Sequence, residues 1–234
     1  MSDDGRRQRL LQIASAAAFL AVVAVAVLIV ITQSDTEGGD TSLEDVSSVN
    51  RELKGIPQNG LILGESRAKV TLSEFGDLQC PVCKGFAEEI IPAVIDSKVR
   101  SGETKIEFRN FTIISQESVP AAAAAIAAGK QGRGWNFIEL FYANQGLEAS
   151  GYVTDEFLTE VAKGAGVADI ARWNRDRKSE AVLSEVQSES QEAQQLGLSG
   201  TPSFVVTGPG ADGKEVLGTP GSAGALEEAV EAAG

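Results

Sequence analysis

Glu74-Phe75-Gly76-Asp77-Leu78-Gln79-Cys80-Pro81-Val82-Cys83 decides the reading of this 234-residue chain. Val70-Thr71-Leu72-Ser73 leads into it as a β-prone run that Gly76-Asp77 ends. Pro81 fits the first position of a helix, where a missing N–H is no loss. The chain's only two cysteines therefore sit between a strand and a helix. Cross-linking a four-residue loop is worth only about 2 kcal/mol in the chain-entropy model, so this pair reads as a working dithiol and not as a structural bond. A structural zinc site wants four Cys or His ligands, and the chain has two cysteines and no histidine. Soft copper ligation would need more sulfur, and the only methionine is Met1. Metal binding and an idle pair are the competing accounts; the residues favour redox chemistry with no metal and no separate cofactor.

Outward from this segment, Lys105–Phe111 reads as a second strand, with Ile106 and Phe108 on one face, and the helix from Pro81 runs to about Arg100 with a kink at Pro92. Strand, helix and strand together have the length of a parallel crossover. From Ser118 to Leu196 the pattern is helical. Pro120 opens an alanine-rich helix, Trp135, Ile138, Phe141 and Tyr142 share a face, Thr154 caps a third helix, and a long helix stops at Gly197. Ser203–Thr207 and Lys214–Leu217 are strands around a glycine-rich turn, and Ser222 caps a closing helix. Leu61-Ile62-Leu63 reads as an edge strand. The order is β-α-β, a helical insert at about 115–198, then β-β-α, within an α/β domain over 57–234.

The N-terminal part differs in composition. Leu10 to Ile31 contains no charged residue, and about 22 helical residues span roughly 33 Å, enough for a bilayer core. A cleaved signal peptide would show a small-x-small site after a shorter run, and a lipoprotein anchor would need a cysteine there; neither is present. Residues 10–32 are therefore expected to be an uncleaved transmembrane anchor. Arg6, Arg7 and Arg9 precede it and the next cation is Arg51, which places 1–9 in the cytoplasm and the rest outside. Residues 33–56, polar and acidic, read as a flexible tether. Beyond the anchor the chain carries 17 cations against 31 anions, which disfavours nucleic acid and anionic lipid as partners.

The quoted segment, together with Gly200-Thr201-Pro202-Ser203-Phe204 before a late strand, resembles the DsbA-like branch of the thioredoxin superfamily. The resemblance covers about residues 58–232 and includes the element order. It implies a thioredoxin fold with a helical insertion domain. It also implies that Cys80 is the exposed attacking cysteine and Cys83 the shielded resolving one, and that Thr201–Pro202 is a cis bond facing them. Base rates alone favour a trans bond. Pro81, Val82, Thr201 and Pro202 would then form the surface a substrate meets, with the Thr201 backbone open to an incoming strand. A sulfur at a helix mouth is expected to have a lowered pKa, in the range ~3.5–7.5 for such motifs. Glu74 alternates with Val70 and Leu72, which aims it at the apolar face, and it matches the buried acid of the family; a solvent-facing edge glutamate is the alternative. Strongly oxidising members carry His where this chain has Val82, so the couple is expected to be less oxidising here.

The resulting expectation is a membrane-tethered thiol–disulfide oxidoreductase that introduces disulfides into exported proteins bearing free thiols. A quinone-linked membrane partner of the DsbB or VKOR kind would re-oxidise it. The rival readings are a reductase of the same fold, serving for example cytochrome maturation, and a non-catalytic binding module. Asn110-Phe111-Thr112 matches a glycosylation sequon but falls in an expected strand.

Overall fold

A helix opens the structured chain where the sequence reading placed a tether. The computed structural model describes residues 43–211 and 213–234. Helix α1 (Val46–Glu52) buries Val49, and Leu53 just beyond it is 3 % exposed. Val46, Val49 and Leu53 recur at helical spacing, which gives one apolar stripe among polar neighbours. The tether assigned to 33–56 is thus corrected from residue 43 onward: the low mean hydropathy of the segment hid that stripe. The expected cytoplasmic segment, the anchor at 10–32 and the start of the tether lie outside the described residues. Among the described residues, no helix is long and apolar enough to cross a membrane.

Among the described residues, six strands form one mixed sheet. In chain order they are β1 (Gln58–Asn59), β2 (Ile62–Leu63), β3 (Val70–Gly76), β4 (Thr104–Asn110), β5 (Ser203–Thr207) and β6 (Lys214–Gly218). Their spatial order is β1-β2-β4-β3-β5-β6. Only β3 and β4 run parallel; the other neighbours are antiparallel. The sheet edge on this side is β1, and β2, expected at the edge, is inside it. Helix α2 (Pro81–Glu89) crosses between β3 and β4, followed by α3 (Ile91–Val94) and a π-helical turn over Ile95–Val99. The single helix expected to Arg100 breaks at Ile90 (φ −111°, ψ −51°), two residues before Pro92, whose missing N–H and bulky ring disrupt the preceding turn.

Strand register decides what lies on each face. On one face Leu72 is flanked by Ile106 and Val206, and Glu74 by Phe108 and Phe204. Phe86 of α2 stacks on Phe204 at 5.6 Å between ring centroids. On the other face Phe75 and Val205 pack with Phe111, Ala193 and Leu198.

The insert comprises α4 (Ser118–Gly129), α5 (Gly134–Ala143), α6 (Asp155–Gly164), α7 (Ile170–Asp176) and α8 (Glu180–Gln195). The short α7 was not anticipated from the sequence. Thr154 and Ser179 cap α6 and α8 through their hydroxyls, satisfying N–H groups that the helices leave open. Helix α9 (Ala223–Ala233), capped by Ser222, closes the chain. The insert docks against the β1–β2 turn: Trp135 Nε1 donates to the Leu61 carbonyl at 2.8 Å. A Cβ at Gly134 would lie 2.4 Å from the Gly60 oxygen, so only glycine permits this approach. Helix α1 joins the insert through Asn136 Nδ2, which donates to Asn50 Oδ1 at 2.9 Å.

If α1 is part of the core, Leu53→Ala should cost about 2–5 kcal/mol in urea unfolding. A tether residue at that position would give no change.

Candidate active site

Cys80 is the N-cap of α2, in an extended conformation (φ −76°, ψ 119°), with Pro81 as the first helical residue. Its Sγ accepts from the Cys83 N–H at 3.4 Å and lies 3.4 Å from the Thr201 carbonyl, to which the thiol can donate. Open N–H groups at a helix start favour a negative charge there. The Cys83 side chain, hydrogen-bonded to the Cys80 sulfur, is the largest influence on it. With Thr201 and the N–H groups of Cys83 and Val82, it outweighs burial and holds Cys80 down at about 6. Cys83, one turn inside the helix, moves the opposite way. Burial, then donation of its proton to Cys80, then the charge of Glu74 push its thiol above the ordinary range. Both cysteines are free thiols.

Glu74 is 2 % exposed on the same face as Val70 and Leu72. Its Oε1 is enclosed and, among the described residues, has no hydrogen-bond partner. Burial between two phenylalanines, and secondarily the Cys80 charge, raise its carboxyl to about 8. At neutral pH the carboxyl is therefore mostly protonated.

The remaining sequence-derived residues divide. Thr201–Pro202 is a cis bond, Pro202 is buried and Thr201 half-buried. Pro81 is exposed and Val82 is 52 % exposed. Cys80 was expected to be exposed and is only 4 % so, against 0 % for Cys83. The order of accessibility is as expected, but the attacking sulfur lies folded against its helix and the Thr201 carbonyl. The sequon asparagine, Asn110, is 1 % exposed and donates to Glu189 through both its backbone N–H and its Nδ2. Among the described residues, no group of three or more Cys, Asp or Glu side chains could hold a metal ion.

The sequence reading missed the residues that hold the loop before Cys80. Asp77, 1 % exposed, accepts from the N–H groups of Gln79, Ile113 and Ile114, all within 3.0 Å. Its carbonyl accepts from Cys80 N–H and from the Tyr142 hydroxyl. Gln79, fully buried, donates to Glu117 and accepts from Ser115 Oγ and the Ala149 N–H. Gln145 Nε2 donates to the carbonyls of Leu78 and Cys80. Asp77 also closes the turn into Cys80 through the Gln79 and Cys80 N–H groups, but the other partners of Asp77 and Gln79 are 36 to 70 residues away and carry no local signal.

Comparison with known proteins agrees with this geometry. The family model described as "Thioredoxin" matches residues 57–219. The chain is 30% identical over 149 residues to the probable disulfide bond formation protein D of Bacillus cereus, across 62% of this chain and 69% of that protein. It is 30% identical over 164 residues to disulfide bond formation protein D of Bacillus subtilis, across 69% and 72%. The crystal structure of oxidised BdbD from Bacillus subtilis superposes with a TM-score of 0.65 at 26% identity, covering 76% of this chain and 95% of that one. The chain belongs to the thioredoxin superfamily, in its DsbA-like group of thiol–disulfide oxidoreductases.

Proposed function

We propose that this protein introduces disulfide bonds into exported proteins through the Cys80–Cys83 pair. One observation carries the reading: Cys80 Sγ caps α2, 3.4 Å from the Cys83 N–H and from the carbonyl that precedes the cis Pro202, with Cys83 buried behind it. This arrangement lowers the pKa of Cys80 to about 6 and raises that of Cys83. Stabilising a thiolate in the reduced pair makes the oxidised pair the better oxidant.

In the oxidised protein a substrate thiolate attacks Cys80 Sγ. The Cys80–Cys83 bond breaks, a substrate–Cys80 disulfide forms, and Cys83 leaves as a thiolate. Glu74, neutral below about pH 8, supplies its proton. The second substrate thiolate then attacks the substrate sulfur of the mixed disulfide, and Cys80 leaves as a stable thiolate. The substrate has lost two electrons and the cysteine pair has gained them. Exposed Pro81 and Val82 and the Thr201 backbone beside Cys80 are the surface on which the substrate docks.

The same reading includes a setting. The uncharged run Leu10–Ile31, with three arginines before it, supports a single-pass anchor with the N-terminus in the cytoplasm and the catalytic domain outside the membrane. A quinone-linked membrane protein of the DsbB or VKOR kind would take the two electrons back. Tethering both proteins to one membrane would raise their effective concentration.

Alkylation of the reduced protein by iodoacetamide should be half-maximal near pH 6 at Cys80, with Cys83 unreactive through pH 9. A Cys80 midpoint near an ordinary thiol value removes the basis of the proposal. Cys80→Ser should abolish exchange with a dithiol peptide, and Cys83→Ala should accumulate mixed disulfides with clients. A reduction potential at or below the ~−270 mV of thioredoxin would instead make the protein a reductase.

Glu74 also sets a pH dependence of stability. Its carboxyl is raised from 4.5 in the unfolded chain to about 8. Its contribution is therefore fully present below pH 4.5 and is lost as pH rises through 8. Relative to Glu74→Gln, the reduced wild type should lose on the order of 3–5 kcal/mol across that window in urea titrations. A constant difference would mean that Glu74 does not titrate there.

A further inference from the structure

Glu139 lies in α5, where every residue from Gly134 to Tyr142 is buried, and is itself 8 % exposed. The charged groups acting on its carboxyl are all acids: Glu52 of α1, Glu74 of β3 and Glu88 of α2. A buried carboxylate with no cation is costly, and an amide or apolar residue would fill the space without that penalty.

The helix places Glu139 between two landmarks. It is three residues from Asn136 and three from Tyr142, so each is its neighbour along the helix surface, and the stretch covers roughly 9 Å of axis. Tyr142 marks the active-site end. Its hydroxyl donates to the Asp77 carbonyl at 3.2 Å, and its ring meets the edge of Phe108, the β4 neighbour of Glu74. Asn136 marks the other end, bonded to Asn50 of α1, two residues before Glu52. Glu74 and Glu52 each carry an enclosed Oε1 that has no hydrogen-bond partner among the described residues. Glu52 is half-buried and also feels Asp96 and Arg100, while Glu88 is exposed. Helix α5 thus sets Glu139 between the active-site end marked by Tyr142 and the α1 end marked by Asn136.

We propose that Glu139 passes protons between Glu74 and the surface at Glu52 and Glu88, refilling Glu74 after it protonates Cys83. The inference rests on the thiol–disulfide reading above. When the Cys80–Cys83 bond breaks, the Glu74 proton moves to the Cys83 thiolate. The Glu139 proton then moves to the Glu74 carboxylate, and solvent reprotonates Glu139 by way of Glu52 or Glu88. During re-oxidation the same proton leaves in the reverse order. Glu139 touches no reacting atom and acts through Glu74. The groups that can shift the pH response of this route are Glu52 with Asp96 and Arg100, Glu88, Cys80, Cys83 and Tyr142.

The test is steady-state turnover of the full-length protein with a dithiol peptide as reductant and a small disulfide as re-oxidant, from pH 5 to 8. Glu139→Gln should slow it about tenfold at pH 7, less than the ~10²-fold or more of a group that transfers the proton directly, and change the shape of the pH profile. Iodoacetamide alkylation of Cys80 in the reduced variant should be unchanged. Glu74→Gln with Glu139→Gln should be no slower than Glu74→Gln alone, because both act on one route. Glu139→Leu should show the same slowing with an unchanged or higher Tm. An unchanged rate in Glu139→Gln, slowing that multiplies in the double variant, or slowing that follows a lowered Tm or altered Cys80 alkylation overturns the relay. A wild-type protein without exchange activity would overturn the functional reading itself, an outcome separate from these.

Discussion

A thiolate at a helix start is stabilised only if the donors around it are already in place, because reorganising them would consume the gain. In this protein Cys80 Sγ meets the Cys83 N–H at the first turn of α2, and much of the surrounding structure keeps that turn still. Phe86 stacks on Phe204, which fixes α2 over the sheet. Asp77 gathers three backbone N–H groups from two loops. Gln145 reaches from the insert to the Cys80 carbonyl. The insert is thereby coupled to the chemistry: it supplies side chains that hold the loop carrying the sulfur.

The chain contains no histidine, the one side chain whose ordinary pKa lies between 5 and 8. Proton handling near neutrality therefore falls to groups displaced into that interval. Hydrogen bonding, first from the Cys83 side chain, brings Cys80 down to about 6, and burial brings Glu74 up to about 8. The two displacements have opposite physical origins: one sulfur gains donors, one carboxyl loses water. Val82, between the cysteines, adds no charge of its own, which leaves the Cys83 side chain first, then Thr201 and the helix-start N–H groups, to stabilise the Cys80 anion.

The opposite face of the sheet is organised by ion pairs. Arg109 of β4 bridges Glu107, Glu189 and Glu192, and Lys214 of β6 also binds Glu192. This network ties α8 to two strands, while Glu189 also accepts from Asn110. It secures the end of the insert just before Gly200 and Thr201, so the loop that faces Cys80 leaves from an anchored helix.

What the sequence alone determined was local. The strand before Cys80, Pro81 at the helix start, the caps at Thr154 and Ser222 and the alternation of Val70, Leu72 and Glu74 all express interactions within a few residues, and the element order followed from them. Helix α1 escaped because three apolar residues in a polar segment show themselves only when a partner surface exists. Tertiary structure alone decided how little of Cys80 is exposed, which residues hold Asp77 and Gln79, and that Glu139 is buried on a helix joined to both Asp77 and α1. Burial, and the acidity that follows from it, depend on groups brought together across tens of residues of chain, and no local pattern records those distances.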